Sequence, residues 1–327
     1  MKAIRVNRNG GPEVLEATDI DAPSPGPGEV AVALAAAGVN FVDVYHRRGM
    51  YPIALPFTPG QEGAGIVTTV GDDVAGLAVG DRIAWATTMG SYAEVQVVPA
   101  SAVVAVPDGI GLDVAAAVIL QGLTAHYLTR STYPLGAGDR CLIHAGAGGV
   151  GLLVIQMAKR IGAEVFTTVS TEEKAELAAA AGADHVIRYD RDEFGAAVEA
   201  IAGPNALEAV YDGVGAATFS RGLDLLARRG TMVLFGQASG AVPPFDLSTL
   251  AAKGSLYVTR PTLGHYVADA AALRDRASEL FAWIGAGDLD VRIGRMWPLE
   301  AAADAHRALE ARATTGKALL RVGSAGD

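Results

Sequence analysis

Residues 141–151 read Cys141-Leu-Ile-His-Ala-Gly146-Ala-Gly148-Gly-Val-Gly151. An apolar strand runs into a G-x-G-x-x-G loop, the loop opens a helix that reaches Ile161-Gly162, and a second apolar run, Glu164–Val169, follows. In such a unit the first glycine permits the tight turn and the second lets backbone approach a pyrophosphate. The third lets helix pack on strand, while the first-turn amides and the helix dipole attract the anion. A glycine-rich turn with no ligand is the bland alternative, but strand, loop, helix and second strand within one short unit favour a dinucleotide. Outward from it, apolar runs at Cys141–Ala145, Glu164–Val169, His185–Tyr189, Ala209–Asp212, Thr231–Phe235 and Leu256–Thr259 alternate with helical segments. The expected class is α/β, with a doubly wound parallel Rossmann sheet.

Toward the amino terminus the pattern changes. Short β-like runs at Ala3–Val6, Glu29–Leu34, Gly65–Val70, Arg82–Ala86 and Ala93–Val98 are separated by Pro/Gly turns such as Pro23-Ser24-Pro25-Gly26-Pro27-Gly28. They predict a mostly β unit, sheet or partly open barrel. Leu112–Thr129 reads as a helix after it. Beyond Arg260 come two amphipathic helices, Asp269–Ala286 and Leu299–Arg312, and an apolar strand, Ala318–Val322. That strand has no place in the Rossmann sheet, and a return to the first unit is the expectation. A chain of 327 residues also exceeds the roughly 250–300 at which single cores stop growing, so two domains are predicted.

Composition narrows the function. Half the residues are apolar and 19% are charged, which excludes a disordered chain. Lys plus Arg total 26 against 36 Asp plus Glu, with no basic cluster beyond short pairs such as Arg47-Arg48 and Arg228-Arg229, so nucleic acid is not a predicted partner. A single cysteine, Cys141, permits neither an intramolecular disulfide framework nor a thiolate zinc cluster and suggests a reducing compartment. Its expected role is buried packing. Arg5 and Arg8 interrupt the apolar stretch a signal peptide needs. The longest purely apolar and glycine run, Val30–Val39, is about half a spanning helix. No secretion, no membrane and a cytoplasmic location are the expectations.

The second strand of the nucleotide unit ends at Ser170, with Lys174 one helical turn on, rather than in the Asp or Glu that binds an NAD ribose. A hydroxyl donor and an ammonium suit the 2′-phosphate of NADP, which a carboxylate would repel. Ser170 with Glu173 could alternatively be a capping box, with Lys174 merely solvated.

Further motifs stand in order along the chain: Gly38-Val-Asn-Phe-Val-Asp43, Gly60-Gln-Glu-Gly-Ala-Gly65, Val79-Gly-Asp-Arg82, Gln121-Gly-Leu-Thr-Ala125, Tyr211-Asp212, Phe235-Gly236 and Gly254–Arg260. With the glycine loop they resemble the medium-chain dehydrogenase/reductase superfamily, specifically its zinc-independent, zeta-crystallin-like quinone oxidoreductases. The resemblance spans nearly the whole chain. It implies a GroES-like, partly open barrel catalytic domain over residues 1–122 and 261–327 and an NADP-binding Rossmann domain over 123–260. It implies an NADPH:quinone reductase, with NADPH as cofactor and a small-molecule quinone or other conjugated acceptor as partner. An enoyl or alkenal double-bond reductase is the first alternative, and an NADPH-binding protein with little turnover the second. A homodimer joined through the Rossmann sheet edge is also implied.

The same resemblance assigns residues. In the zinc alcohol dehydrogenases of the superfamily a cysteine stands where this chain has Asn40 and a histidine where it has Gln61. Carboxamides are poor zinc ligands, so no metal is expected. Asn40, Tyr45 and Tyr51 are the catalytic candidates, lying around the nicotinamide and the acceptor. A tyrosine hydroxyl with an ordinary pKa near 10 is a donor at neutral pH and can orient a carbonyl. The cofactor would touch Asn40, Tyr45, Tyr127, Gly149, Val150, Ser170, Lys174, Tyr189, Phe235, Gly236 and Arg260. His144 is expected to be a satisfied core histidine, and His46 a surface or groove residue.

Overall fold

The structure, a computed structural model, describes residues 1–322. From the amino terminus the strands are β1 (Lys2–Val6), β2 (Leu15–Asp19), β3 (Glu29–Val39), β4 (Gly63–Val70), β5 (Arg82–Trp85), β6 (Val95–Pro99) and β7 (Val103–Ala105). Next come β8 (Arg140–His144), β9 (Glu164–Val169), β10 (His185–Arg188), β11 (Leu207–Asp212), β12 (Leu226–Leu234) and β13 (Tyr257–Thr259). The last two are β14 (Ile293–Pro298) and β15 (Lys317–Arg321). Four helices bear on the site: α1 (Phe41–Arg47), α2 (Leu112–Tyr127), α3 (Gly149–Ile161) and α4 (Glu172–Ala180). The chain forms two compact units, Met1–Leu123 together with the segment from Tyr266 onward, and Thr124–His265.

In the first unit a seven-stranded sheet runs β14-β15-β3-β4-β5-β7, with β6 also paired to β3. β3 lies at its centre. It pairs with β4 along most of its length, with β6 through Glu29–Ala33 and with β15 through Ala36–Val39. A strand so enclosed is buried on both faces, which is why Val30–Val39 is apolar without alternation. The C-terminal strand thus does return to the first unit. Its partner on the other side is β14, in parallel. Trp85 and Tyr92 are fully buried in the core beneath, among Val30, Val32, Phe57 and Leu320.

The second unit is a six-stranded parallel sheet in the order β10-β9-β8-β11-β12-β13. The chain winds outward from β8 in one direction, then from β11 in the other. This order places a switch point between β8 and β11, where open α/β sheets bind ligands at the carboxyl ends of their strands. Leu142, Phe166, Val210 and Met232 build the core beneath.

α2 continues through a π-helical turn at Leu128–Thr132. The combined helix, Leu112–Thr132, is long and apolar enough by composition to cross a membrane, a property that a search for uninterrupted apolar runs passes over. Its most apolar window is 72% buried inside the protein, and core packing accounts for its composition.

Candidate active site

In the second unit the glycine loop turns at Ala145, whose φ of 58° lies in the left-handed region. A non-glycine residue held there stores strain, which clusters at ligand sites. The three motif glycines differ in their surroundings. A Cβ on Gly146 would come within 2.0 Å of Thr167 Oγ1, and one on Gly151 within 2.4 Å of the Ala145 carbonyl oxygen. These two glycines let strand, loop and helix close on one another. A Cβ on Gly148 would meet only the Ala145 oxygen, at 3.2 Å, so its outer side is open. Gly148 is also the N-cap of α3, and no side chain caps that helix. The first-turn amides, Gly149 and Val150 among them, therefore have no intrahelical acceptor and point out from a thirteen-residue helix. This cradle fits the pyrophosphate of a dinucleotide.

The other candidates of this unit, Tyr127 apart, stand at the carboxyl ends of the sheet strands. Ser170 follows β9, and Lys174 Nζ lies 3.4 Å from Ser170 Oγ. The capping reading of Ser170 is corrected: the N-cap of α4 is Thr171, whose hydroxyl accepts the Lys174 amide at 3.3 Å. The Ser170 hydroxyl is thus paired with an ammonium, not with a helix amide. Tyr189 follows β10 and is exposed. Asp212 ends β11 buried, accepting from the Val214 amide at 2.7 Å, the Gly215 amide at 3.0 Å and Thr218 Oγ1 at 2.8 Å. It shapes the loop against which Phe235 and Gly236 pack, since a Cβ on Gly213 would touch the Phe235 ring at 3.0 Å. Arg260 Nη1 donates to the carbonyls of Leu234 at 2.9 Å and Gly236 at 3.0 Å, tying the end of β13 to that of β12. Tyr127 is buried near the end of α2.

In the first unit Asn40 follows β3 and is the N-cap of α1. Its amide donates to Asp43 Oδ2 at 2.9 Å. Its carboxamide Nδ2 donates to Glu62 Oε1 at 2.5 Å, while its Oδ1 accepts from Lys317 Nζ at 2.8 Å and Gln121 Nε2 at 3.1 Å. Lys317 also pairs with Glu62 Oε1. Tyr45 on α1 is buried, and its ring meets Tyr51 edge-on at 5.6 Å between centroids. Tyr51 is 39% exposed. The His46 ring also meets Tyr51, at 5.8 Å between centroids. His46 is buried, with no partner for Nδ1, so of the surface or groove position expected for it the surface one is corrected. Burial lowers its pKa.

Behind Asn40 a chain of hydrogen bonds fixes its own proton positions. An arginine only donates, so Arg47 Nη1 gives a proton to His306 Nδ1 at 3.4 Å. The imidazole proton is then on Nε2, which donates to Tyr92 Oη at 3.0 Å, and the Tyr92 hydroxyl donates to Asp43 Oδ2 at 3.2 Å. Burial pushes His306 down to about 3, keeping it neutral, and raises Tyr92 well above its ordinary value. Burial likewise raises Asp43 to about 7, against the pull of the Asn40 amide and Lys317, and its Oδ1 is buried without a partner.

The resemblance sets Asn40 and Gln61 at zinc-ligand positions, but Asn40 Oδ1 is engaged by the Lys317 ammonium, whose charge would oppose a dication. That donor set does not fit zinc. Among the described residues no group of three or more His, Cys, Asp or Glu is placed to hold a metal. Cys141 is buried, and its thiol is pushed up by burial. His144 is buried with Nδ1 2.9 Å from Thr168 Oγ1, but its Nε2 has no partner, so the expectation of a satisfied ring holds on one side only. Burial lowers its pKa.

Sequence reasoning missed Glu62, Lys317, Tyr92, His306 and Arg47. Glu62 and Asp43 lie inside motifs quoted above, where a carboxylate in an otherwise apolar and glycine setting was the available signal. Lys317 and His306 belong to no local pattern.

Residues 26–108 match a family model described as the alcohol dehydrogenase GroES-like domain, and residues 149–279 one described as zinc-binding dehydrogenase. A protein of Pseudomonas aeruginosa named quinone oxidoreductase is 46% identical over 98% of this chain and 99% of its own. A Burkholderia protein named 2-haloacrylate reductase is 37% identical over 96% and 97%. The crystal structure of the Escherichia coli quinone oxidoreductase complexed with NADPH superposes with a TM-score of 0.96 at 42% identity, covering 98% of this chain and 100% of that one.

Proposed function

The chain belongs to the quinone oxidoreductase branch of the medium-chain dehydrogenase/reductase family, and from that premise we propose that it is a zinc-independent NADPH:quinone reductase. Full-length similarity to proteins named for this activity carries the reading. The glycine cradle and the Ser170–Lys174 pair support its cofactor. When bound, NADPH supplies a hydride from its nicotinamide C4.

The chain's own residues bind and orient. Gly149 and Val150 amides hold the pyrophosphate, and Ser170, Lys174 and Tyr189 surround the 2′-phosphate. Phe235, Gly236, Arg260 and Tyr127 line the remainder of the dinucleotide. Asn40 and Tyr45 serve both nicotinamide and acceptor, and Tyr51 the acceptor. Their neutral N–H and O–H groups steady negative charge that develops on a quinone oxygen. The protein acts in the cytoplasm on small conjugated acceptors, without nucleic acid or membrane, as a homodimer.

A second reading, reduction of an electron-poor C=C bond, is favoured by the relative named 2-haloacrylate reductase. Steady-state rates with NADPH and 1,4-benzoquinone, 9,10-phenanthrenequinone, 2-hexenal and a crotonyl thioester separate the readings. Quinones are expected to give the highest kcat/KM. A higher value for an enal or thioester would replace the first reading by the second. Tight NADPH binding without turnover of any acceptor would leave a binding protein.

A further inference from the structure

Glu62 and Lys317 lie 255 residues apart in sequence and meet as an ion pair that is almost wholly buried, at 0% and 1% side-chain exposure. Removing two charges from water is expensive, and an apolar pair of equal volume is often at least as stable. Stability alone therefore gives no reason for this pair. What it does hold is a carboxamide. Asn40 Oδ1 faces two donors, Lys317 Nζ and Gln121 Nε2, and Nδ2 faces Glu62 Oε1. The flipped amide would set its NH2 against an ammonium and its oxygen against a carboxylate, so the pair selects one orientation. One Nδ2 hydrogen remains beyond the Glu62 bond.

The surrounding chain is shaped to keep that arrangement. Glu62 Oε2 is fixed by the Leu120 amide of α2 at 2.9 Å. Gly38, two residues before Asn40 on β3, leaves the slot for the carboxylate: a Cβ there would stand 2.0 Å from Glu62 Oε1. Lys317 is brought in by β15, whose Ala318 is in register with Val39 of β3. Two strands, a helix and the segment before β4 thus converge on one side chain.

We infer that Lys317, through its ion pair with Glu62, is a positioning residue that fixes the Asn40 carboxamide so that one N–H is presented to nicotinamide and acceptor. The inference rests on the role proposed for Asn40, and a double-mutant cycle separates the two. Asn40→Ala tests that role alone, with an expected loss of roughly 100-fold in quinone kcat/KM. Lys317→Met should cost about tenfold, in kcat rather than in the KM for NADPH, and less than about twofold further in the Asn40→Ala background. An equal loss in both backgrounds would make Lys317 merely structural and overturn the inference, as would wild-type kinetics for Lys317→Met. Wild-type kinetics for Asn40→Ala would instead remove the role of Asn40, and the inference with it.

Lys317→Met leaves Glu62 without its counter-ion. If it does not fold, the pair Glu62→Gln with Lys317→Met, which removes both charges and leaves one carboxamide oxygen to accept from either the Asn40 carboxamide or the Leu120 amide, takes its place in the cycle. The unmutated protein offers a further check. Of the two Asn40 Nδ2 protons, assigned in 15N spectra by their loss in Asn40→Ala, the one bonded to Glu62 should be protected from solvent exchange. Exchange of both protons at the rate of a free carboxamide would show an unheld carboxamide and overturn the inference.

Discussion

Asp43 shows how burial writes a pH dependence into one residue. Its carboxyl accepts from the Asn40 amide and Tyr92 but is fully buried, and burial raises its pKa from 3.8 to about 7. Between those values the folded protein binds a proton that the unfolded chain has already released. Stability therefore falls as pH rises through this window, by up to about 1.4 kcal/mol per pH unit, and levels off above it. Urea melts from pH 4 to 8 should show this slope, and Asp43→Asn should flatten its share of it. An unchanged slope in Asp43→Asn would assign the proton elsewhere. Legibility at this scale depended on the sequence distance between partners. Ser170 and Lys174 are one turn apart and were readable, whereas Glu62 needs Lys317, and Tyr92 needs His306, 214 residues away. Such pairs exist only once strand register is set. For His46, beside Arg47-Arg48, a surface or groove position is the expectation, and burial corrects the surface half of it. Arg47 is in fact fully buried, held by Glu310 at 2.8 Å and by His306.

Among elements, those with local signatures were legible. The strand, glycine loop and helix at 140–161 follow from three glycines and a change of period, and β9 has the bounds its apolar run predicts. β12 begins at Leu226, five residues ahead of the predicted Thr231, because its first part carries the exposed Arg228-Arg229 that no apolar pattern marks. The glycines of the loop separate folding from binding. Gly151→Ala drives a Cβ to 2.4 Å from a carbonyl oxygen and 2.9 Å from Gly146 Cα, both backbone atoms that must shift. Gly148→Ala meets only one oxygen at 3.2 Å, so its methyl would enter space that the fold leaves open at the start of α3. Gly151→Ala is expected to lower Tm by several degrees along with NADPH affinity. Gly148→Ala should leave Tm within about 2 °C of wild type and weaken NADPH at least tenfold, since pyrophosphate needs that close approach. Thermal melts beside fluorescence titrations decide it, and equal effects of the two changes would refute the division of roles.

For the molecule as a whole, the sheet order of the second unit leaves β13 at one end. It is a strand of only three residues, Tyr257–Thr259, with Tyr257 57% exposed. Its far side has unpaired backbone groups, and an open edge carrying an aromatic ring is an invitation to pairing that monomers normally blunt with charge, proline or a bulge. None of those devices occurs within Tyr257-Val258-Thr259. A two-fold axis beside β13 would pair the edge with its own copy and close the assembly, since each subunit then satisfies the other with the same surface. Light scattering at micromolar concentration is expected to give a mass near twice 33.5 kDa. Tyr257→Asp, which places a like-charged carboxylate from each subunit at that seam, should shift the mass toward the monomer while leaving the buried face of the sheet untouched. A wild-type monomer, or a dimer indifferent to Tyr257→Asp, would move the interface away from β13 and leave its edge to be explained by the brevity of the strand alone.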